Sequence, residues 1–212
     1  MLKKEKIPKV TIQRMAIYLQ MLEELEIEGE EVISSNKLAE MCGVNPSQIR
    51  KDLAYFGEFG VRGVGYYVKD LMASIKHFLG LDRTWNCALV GIGNLGRALL
   101  RYKDLSKKGY KIVGAFDCDP FKIGEKVGDL EIICTRRLKE KAKEWNIQIG
   151  IITTPPNRAQ RAANHIVEAG IKAILNFAPT RIQVPEDVLV NYVDFSNHLI
   201  FLSFKLTHSR QK

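Results

Sequence analysis

Residues 91–96 read Gly-Ile-Gly-Asn-Leu-Gly, a spacing in which each glycine permits something a side chain would prevent. Gly91 allows a tight turn, Gly93 lets backbone N–H groups approach a pyrophosphate at a helix N-terminus, and Gly96 lets that helix pack closely on a strand. Such a triplet alone occurs in many loops. Here it follows an apolar run ending at Val90 and opens a helical pattern at Asn94. About 20 residues further on, Asp117 closes the next apolar run, where a carboxylate accepts hydrogen bonds from an adenosine ribose. A 2′-phosphate would be repelled there, so the pattern favours NAD(H) over NADP(H), with Lys122 as the countervailing charge. The alternative is a structural turn in an α/β domain that binds nothing.

A second constellation spans residues 35–56. A helix-turn-helix needs a small residue early in its first helix, glycine at the turn and an apolar residue beyond it, so that the helices cross closely. Ala39, Gly43 and Ile49 meet that spacing, with Leu38, Cys42, Val44 and Leu53 as further contacts. The second helix would start at Pro46 and present Ser47, Gln48, Arg50 and Lys51 away from Ile49 and Leu53. Arg and Gln reach guanine and adenine edges; Lys and Ser reach phosphates. The glycine-rich residues 57–68 follow in the position of a wing, with Arg62 where a narrow tip can enter the minor groove. The bland alternative is a small helical domain for protein contact, with Arg50 and Lys51 a solvated face.

The elements that must position these residues fall into two rhythms. Ile12, Met15, Leu19, Leu22 and Leu25 predict a helix over 11–28, ended by Gly29. Ser34 and Ser35 can cap a second helix reaching Met41 or Cys42, and Asn45-Pro46 starts a third running to Phe56. A hairpin is expected over 57–68 and a helix over 69–79. Apolar runs at 86–90, 111–116, 147–153, 172–177 and 190–193 then alternate with helical stretches at 94–104, 136–145 and 158–168, which predicts a parallel sheet covered on both faces. The last helix, 194–207, carries Phe195, Leu199, Leu202 and Leu206 on one face and Ile200, Phe201 and Phe204 on others, more apolar surface than a domain edge covers. The expected fold is α/β: a winged helix-turn-helix domain at 1–80, a Rossmann-like parallel-sheet domain at 81–193, and a C-terminal helix and tail at 194–212.

Composition bounds the function. The 212 residues are 46% hydrophobic and 26% charged, with 32 Lys and Arg against 24 Asp and Glu, a formal +8 that suits a polyanionic partner. Residues 1–80 hold 11 bases and 11 acids, so the surplus lies in the second part. The neutral first part still segregates its charges, with acids at 23–31 and Lys3, Lys4, Lys6, Lys9, Arg50, Lys51 and Arg62 available for phosphate. No stretch approaches the roughly 18 apolar residues of a membrane span and the N-terminus lacks a signal-peptide core, so a cytoplasmic protein is expected. Cys42, Cys87, Cys118 and Cys134 show neither disulfide nor zinc spacing, so buried thiols and no metal are expected; Cys118 alone lies near a motif.

Taken together the sequence resembles the Rex family of redox-sensing transcriptional repressors over nearly its whole length. The resemblance rests on Gln48-Ile49-Arg50-Lys51-Asp52-Leu53-Ala54-Tyr55-Phe56-Gly57, Arg62-Gly63-Val64-Gly65-Tyr66, the glycine motif, Asn176-Phe177-Ala178-Pro179 and Val193-Asp194-Phe195. It implies a homodimer on a palindromic double-stranded DNA operator, NADH releasing the DNA, NAD+ competing weakly, and a C-terminal helix exchanged between subunits. Carried over by position, Arg50 and Lys51 would contact DNA from the recognition helix and Arg62 with Gly63 would form the wing contact, with Ser47, Gln48 and Tyr55 as further DNA-binding candidates. Gly91, Ile92, Gly93, Asn94, Leu95, Gly96 and Asp117 would hold the adenosine diphosphate. The partner's Phe195 would sit by the nicotinamide with Phe177 and Pro179 near, and a Tyr102–Asp194 hydrogen bond would distinguish ligand states. Where some members pair that aspartate with a basic residue of the first helix, this sequence has Gln20, and Arg14 is the other residue to consider.

The switch has a chemical basis. NAD+ and NADH differ only in the nicotinamide ring, cationic when oxidised and neutral when reduced, so burying it against Phe195, Phe177 and Pro179 costs more for NAD+. NADH must then hold the two winged helices at a spacing that misses successive half-sites, a coupling of roughly 1–3 kcal/mol or more; domain rotation is the expected means. Two other readings stay open. An NAD-dependent oxidoreductase with an N-terminal assembly domain would need a proton donor beside the nicotinamide, and of the four histidines only His198 lies near that end. A CoA- or nucleotide-binding module acting through protein contacts would use the same strand-end loops.

Overall fold

The structure, a computed structural model, describes residues 7–57 and 59–209; Lys3, Lys4 and Lys6 of the expected basic face, and Glu58 of the wing, lie outside them. The chain divides into two units, Met1–Arg83 and Thr84–Lys212.

In the first unit, α1 (Lys9–Glu28) buries Met15, Tyr18, Leu19, Leu22 and Leu25 and ends at Gly29, whose φ of 82° continues the chain where a β-carbon would be strained. Ile12, expected on the buried stripe, is 43% exposed; the inward positions beside it go to Thr11 and Tyr18. After β1 (Val32–Ile33), α2 (Ser35–Cys42) is capped by the Ser34 side chain accepting from the Lys37 amide, and α3 (Pro46–Leu53) by Asn45 accepting from the Gln48 amide. The helix expected to reach Phe56 stops at Leu53, and Tyr55 and Phe56 close tighter turns through their amides to Asp52 and Leu53. Those turns set the Phe56 ring against Phe78 of α4 (Val68–Phe78).

The expected hairpin takes a different form. β2 (Tyr66–Tyr67) pairs antiparallel with β1, Val32 opposite Tyr67 and Ile33 opposite Tyr66, while the nearer arm contributes only a bridge between Val61 and Gly65. Gly65 explains why the strand lies there: its φ is 111° and a β-carbon would sit 2.4 Å from the Ile33 carbonyl oxygen.

One buried charge ties the unit together. Asp52, 1% exposed, accepts from Arg14 Nε (2.6 Å) and Nη2 (2.7 Å), Tyr18 Oη (2.8 Å), Gln48 Nε2 (2.8 Å) and Thr11 Oγ1 (3.3 Å). Burial pushes this carboxyl up, but the bonds from Arg14, Tyr18 and Gln48 outweigh it and hold it below the ordinary carboxylate range. The fork from α1 into α3 thus fixes how α3 is pitched.

In the second unit, β3 (Trp85–Val90), β4 (Tyr110–Asp117), β5 (Lys126–Val127), β6 (Leu130–Cys134), β7 (Ile149–Ile152), β8 (Ala173–Asn176) and β9 (Leu189–Tyr192) form one sheet in the order β5-β6-β4-β3-β7-β8-β9. All its pairs are parallel except β5 with β6. Strand alternation sends Ala88 and Val90 of β3 to one face, against α7 (Leu138–Glu144) and α8 (Pro156–Glu168), and Cys87 and Leu89 to the other, toward Leu99 and Leu100 of α5 (Asn94–Arg101). The helix expected over 94–104 breaks at Tyr102, leaving α6 (Asp104–Lys107) separate, and that over 136–145 opens with a 3-10 turn at Thr135–Arg137. The chain departs from β3 first toward β4 and β6 and then crosses to β7, the reversal at which ligands bind in such sheets.

The final helix α9 (Ser196–His208) buries no residue: Leu199, Ile200, Phe201, Leu202, Phe204 and Leu206 are each at least 54% exposed. The surplus apolar surface read from the sequence is left uncovered by this chain.

The Asp52 cluster makes a testable statement. Removing one member of a buried pair costs about 3–5 kcal/mol, so Asp52→Asn should lower the stability of the first unit by about that much in urea unfolding. Because the folded carboxyl titrates below its unfolded value, its contribution is complete above the unfolded carboxylate pKa and lost as pH falls through the folded one. The variant should lose that acid-limb slope.

Candidate functional site

A cavity of about 700 Å³ opens at the carboxyl ends of the central strands, walled by Gly91 and Gly93, the Asp117–Lys122 loop, Cys134 to Arg136, Thr153 to Pro155, and Arg158, Arg161 and His165 of α8. Its floor is the glycine loop. Gly91 has φ of 101° and a β-carbon there would lie 2.6 Å from Thr154 Cγ2; one at Gly96 would lie 2.3 Å from the Gly91 carbonyl oxygen. A β-carbon at Gly93 would meet nothing within 4 Å, so that backbone faces open space. α5 starts at Asn94 after Gly93 as its cap, and among the described residues no side chain caps its first amides, which leaves them and the helix dipole for an anion. The residues present therefore fit a dinucleotide's pyrophosphate. Thr153 Oγ1 pins the loop by donating to the Gly91 carbonyl (2.6 Å), while Thr154 Oγ1 is buried with no hydrogen-bond partner among the described residues.

Asp117, 5% exposed, uses its carboxylate to shape this loop. Oδ2 accepts from the Ile92 amide (2.7 Å) and Lys122 Nζ (3.3 Å), Oδ1 from the amides of Cys118 (2.8 Å) and Asp119 (3.0 Å). Burial pushes its pKa up, but the bonds from the Asp119 and Ile92 amides and Lys122 outweigh that and hold it below the ordinary carboxylate range, so it stays ionised. The Lys122 bond is the longest of the four.

Other residues marked in the sequence sit elsewhere. Ile92 is core, contributing its amide rather than its side chain; Asn94 and Leu95 are exposed at the start of α5 and do not line the cavity. Asn176, wholly buried, shapes the loop carrying Phe177 and Pro179 by donating to the Thr180 carbonyl (3.0 Å) and accepting from the Ala178 amide (2.9 Å). Phe177 is half-buried beside the sheet and Pro179 exposed, and neither lines the cavity. Tyr102 and Phe195 are exposed, and Asp194 accepts from the amide (3.0 Å) and hydroxyl of Ser196. Among the described residues of this single chain, Tyr102 and Asp194 are not bonded to each other. Arg136, Arg158, Arg161 and Thr154 were not picked out from the sequence. The spacing of Arg158 and Arg161, three apart just after a strand at the sheet's reversal, was the signal available.

The first unit presents the other surface. Ser47, Arg50 and Lys51 are exposed on α3, with Arg50 Nη1 donating to Ser35 Oγ (2.9 Å) and Ser47 Oγ to Asn45 Oδ1 (2.6 Å). Arg62 and Gly63 stand exposed at the wing tip, Gly63 with φ of 82° in open space. Gln48 departs from the expected outward face: its amide is turned in to Asp52, because a buried carboxylate needs every donor in reach. Tyr55 is half-buried in the turn after α3. Arg14 is likewise committed to Asp52, which settles its place in this chain.

A family model described as "Putative DNA-binding protein N-terminus" matches residues 6–54, and one described as "CoA binding domain" matches 82–180. The chain is 62% identical over 211 residues, 100% of it and 96% of the relative, to the redox-sensing transcriptional repressor Rex of Solidesulfovibrio magneticus. It is 61% identical to that of Maridesulfovibrio salexigens over 97% of this chain and 99% of the relative. Among solved structures, RSP in complex with β-NAD+ and operator DNA matches at TM-score 0.92 and 39% identity over 98% of this chain and 95% of that one. RSP in complex with β-NADH matches at 0.88 and 37%, over 98% and 97%.

The glycine loop gives a sharp test. Gly96→Ala must push the Gly91 carbonyl aside, and adenine-dinucleotide affinity measured by calorimetry should fall by more than about tenfold, with far-UV circular dichroism unchanged.

Proposed function

Because the chain belongs to the Rex family of redox-sensing transcriptional repressors, we propose a division of labour in which the first unit reads operator DNA and the second reads NADH. It is an NADH-responsive DNA-binding repressor, and the homologues it matches are repressors rather than enzymes. The observation that carries the assignment of roles is the presence in one chain of an anion-ready glycine loop beside a 700 Å³ cavity and a capped helix exposing Arg50 and Lys51.

On DNA, Arg50 and Lys51 act from α3, Arg50 by exchanging Ser35 for a base edge and Lys51 on phosphate. Arg62 and Gly63 act from the wing, and Ser47 reaches phosphate from the helix start. Gln48 serves by orienting α3 through Asp52. In the cavity, the pyrophosphate lies on the amides that open α5, and the adenosine ribose exchanges with Lys122 on Asp117. The nicotinamide lies toward the Phe177–Pro179 loop and the partner's Phe195. A neutral dihydronicotinamide is buried there at less cost than the cation, which makes redox state an affinity difference.

The dimer follows from α9. A helix with six large apolar residues exposed is covered by a second copy, and exchange of that helix between copies gives each site a residue from its partner. Asp194 then meets Tyr102 across the interface in one ligand state. Its alternative partner is neither Gln20, which is uncharged, nor Arg14, which Asp52 already holds. Among the described residues no helix is long and apolar enough to cross a membrane, and the protein works on DNA in the cytoplasm.

Two variants separate the halves. Arg50→Ala should weaken operator binding in a mobility shift by about tenfold or more while NADH titrates as before; Asp117→Ala should weaken NADH and leave the operator occupied at NADH concentrations that clear the wild type. Operator binding by the first variant at wild-type affinity, or NADH release by the second at unchanged concentration, would remove that residue from its role. Leu202→Asp on α9 should convert the dimer to a monomer in sedimentation.

A further inference from the structure

The loop after β4 holds out a bare aromatic ring. Phe121 is 92% exposed, more than any other large apolar residue among those described, and it lines the cavity of the second unit. A phenyl ring left in water forgoes the free energy of burial, so a flat apolar surface that comes to lie on it is retained. The backbone beneath the ring is fixed. Asp119 Oδ1 accepts from the Phe121 amide (3.0 Å), and the Asp119 carbonyl accepts from the amides of Lys122 (3.1 Å) and Ile123 (3.2 Å).

The same bonds say how this loop can grip a base. Cys118 and Asp119 give their amides to Asp117; Phe121, Lys122 and Ile123 give theirs to Asp119; Gly124 gives its amide to the Ile132 carbonyl; and Pro120 has none. Every backbone donor from 118 to 124 is therefore committed within the protein. No amide of the loop is left to read the edge of a base, and what the loop offers instead is the face of a ring. A second planar group comes from α8. Arg158 is exposed, lines the same cavity and places Nη1 3.8 Å from the sulfur of Cys118, the residue directly after Asp117. Guanidinium planes, like phenyl rings, stack on aromatic surfaces.

We propose that Phe121, together with Arg158, holds the adenine of the bound dinucleotide by stacking on its faces, so that this end of the site selects for a large purine ring and not for the groups on its edge. The inference rests on the adenosine reading of the cavity and names the residues that take the base.

The test is displacement of bound NADH, followed by its fluorescence, with 5′-ADP, 5′-IDP and 5′-UDP. All three share the ribose and the diphosphate; 5′-IDP alters the base edge but keeps the purine ring, and 5′-UDP carries the smaller pyrimidine. The wild type should bind 5′-ADP and 5′-IDP within about threefold of each other and 5′-UDP about fivefold or more weakly. An exposed ring can be removed without disturbing the fold. Phe121→Ala should therefore cost both purines about fivefold or more and 5′-UDP less, Phe121→Trp should keep the purine preference, and Arg158→Ala should narrow it. Binding of 5′-IDP as weak as that of 5′-UDP, unchanged purine affinity in Phe121→Ala, or an equal loss for all three nucleotides would overturn the proposal with the adenosine site intact. Failure of 5′-ADP itself to displace NADH from the wild type would instead overturn the adenosine reading.

Discussion

A carboxylate taken out of water must be met by donors, and both units are organised around one such group. Asp52 draws Thr11, Arg14 and Tyr18 from α1 and Gln48 from its own helix, so α1 and α3 cannot be repacked independently. Asp117 draws the amides of Ile92, Cys118 and Asp119, so the glycine loop and the loop after β4 share one anchor. In the first unit the charge is sealed by Arg14, which is 21% exposed, and the result is rigidity. In the second the last donor is a lysine at 3.3 Å, the longest of the four bonds. The same physical demand couples two helices in one unit and two loops in the other.

Much of this was legible in the sequence because capping and glycine chemistry are local. Ser34, Asn45-Pro46, Gly29 and Gly43 mark the helix ends where the structure has them, and Gly91 and Gly96 are glycines for steric reasons that spacing alone suggests. What was not legible is tertiary. β5 and β6 escaped notice because an edge hairpin with Lys126 and Glu131 facing water has no continuous apolar run, and with them went Thr135 and Arg136. Gln48 looked like a base reader because periodicity places it near the open face, whereas only the position of Asp52 shows that it turns inward. The wing's partner strand, Val32–Ile33, lies more than thirty residues upstream and is two residues long, too short for any pattern.

The charge distribution acquires a location. The first unit's zero balance conceals exposed Arg50, Lys51 and Arg62 on one side of the helix-turn-helix sequence and acids gathered near the end of α1. In the second unit part of the surplus is in the cavity, where Lys122, Arg136, Arg158 and Arg161 outnumber Asp117 and Asp119. Positive charge there suits a dinucleotide whose reduced form carries one more net negative charge than its oxidised form. The exposed α9 leaves six large apolar residues uncovered by this chain.

The central claim is a coupling free energy between the cavity and the DNA-reading helix, and it is measured most directly by operator affinity of the wild-type protein without ligand, with saturating NADH and with saturating NAD+ at one salt concentration. The account predicts weakening by about five- to 150-fold or more with NADH and a much smaller change with NAD+. Equal operator affinity in the presence and absence of NADH would contradict it.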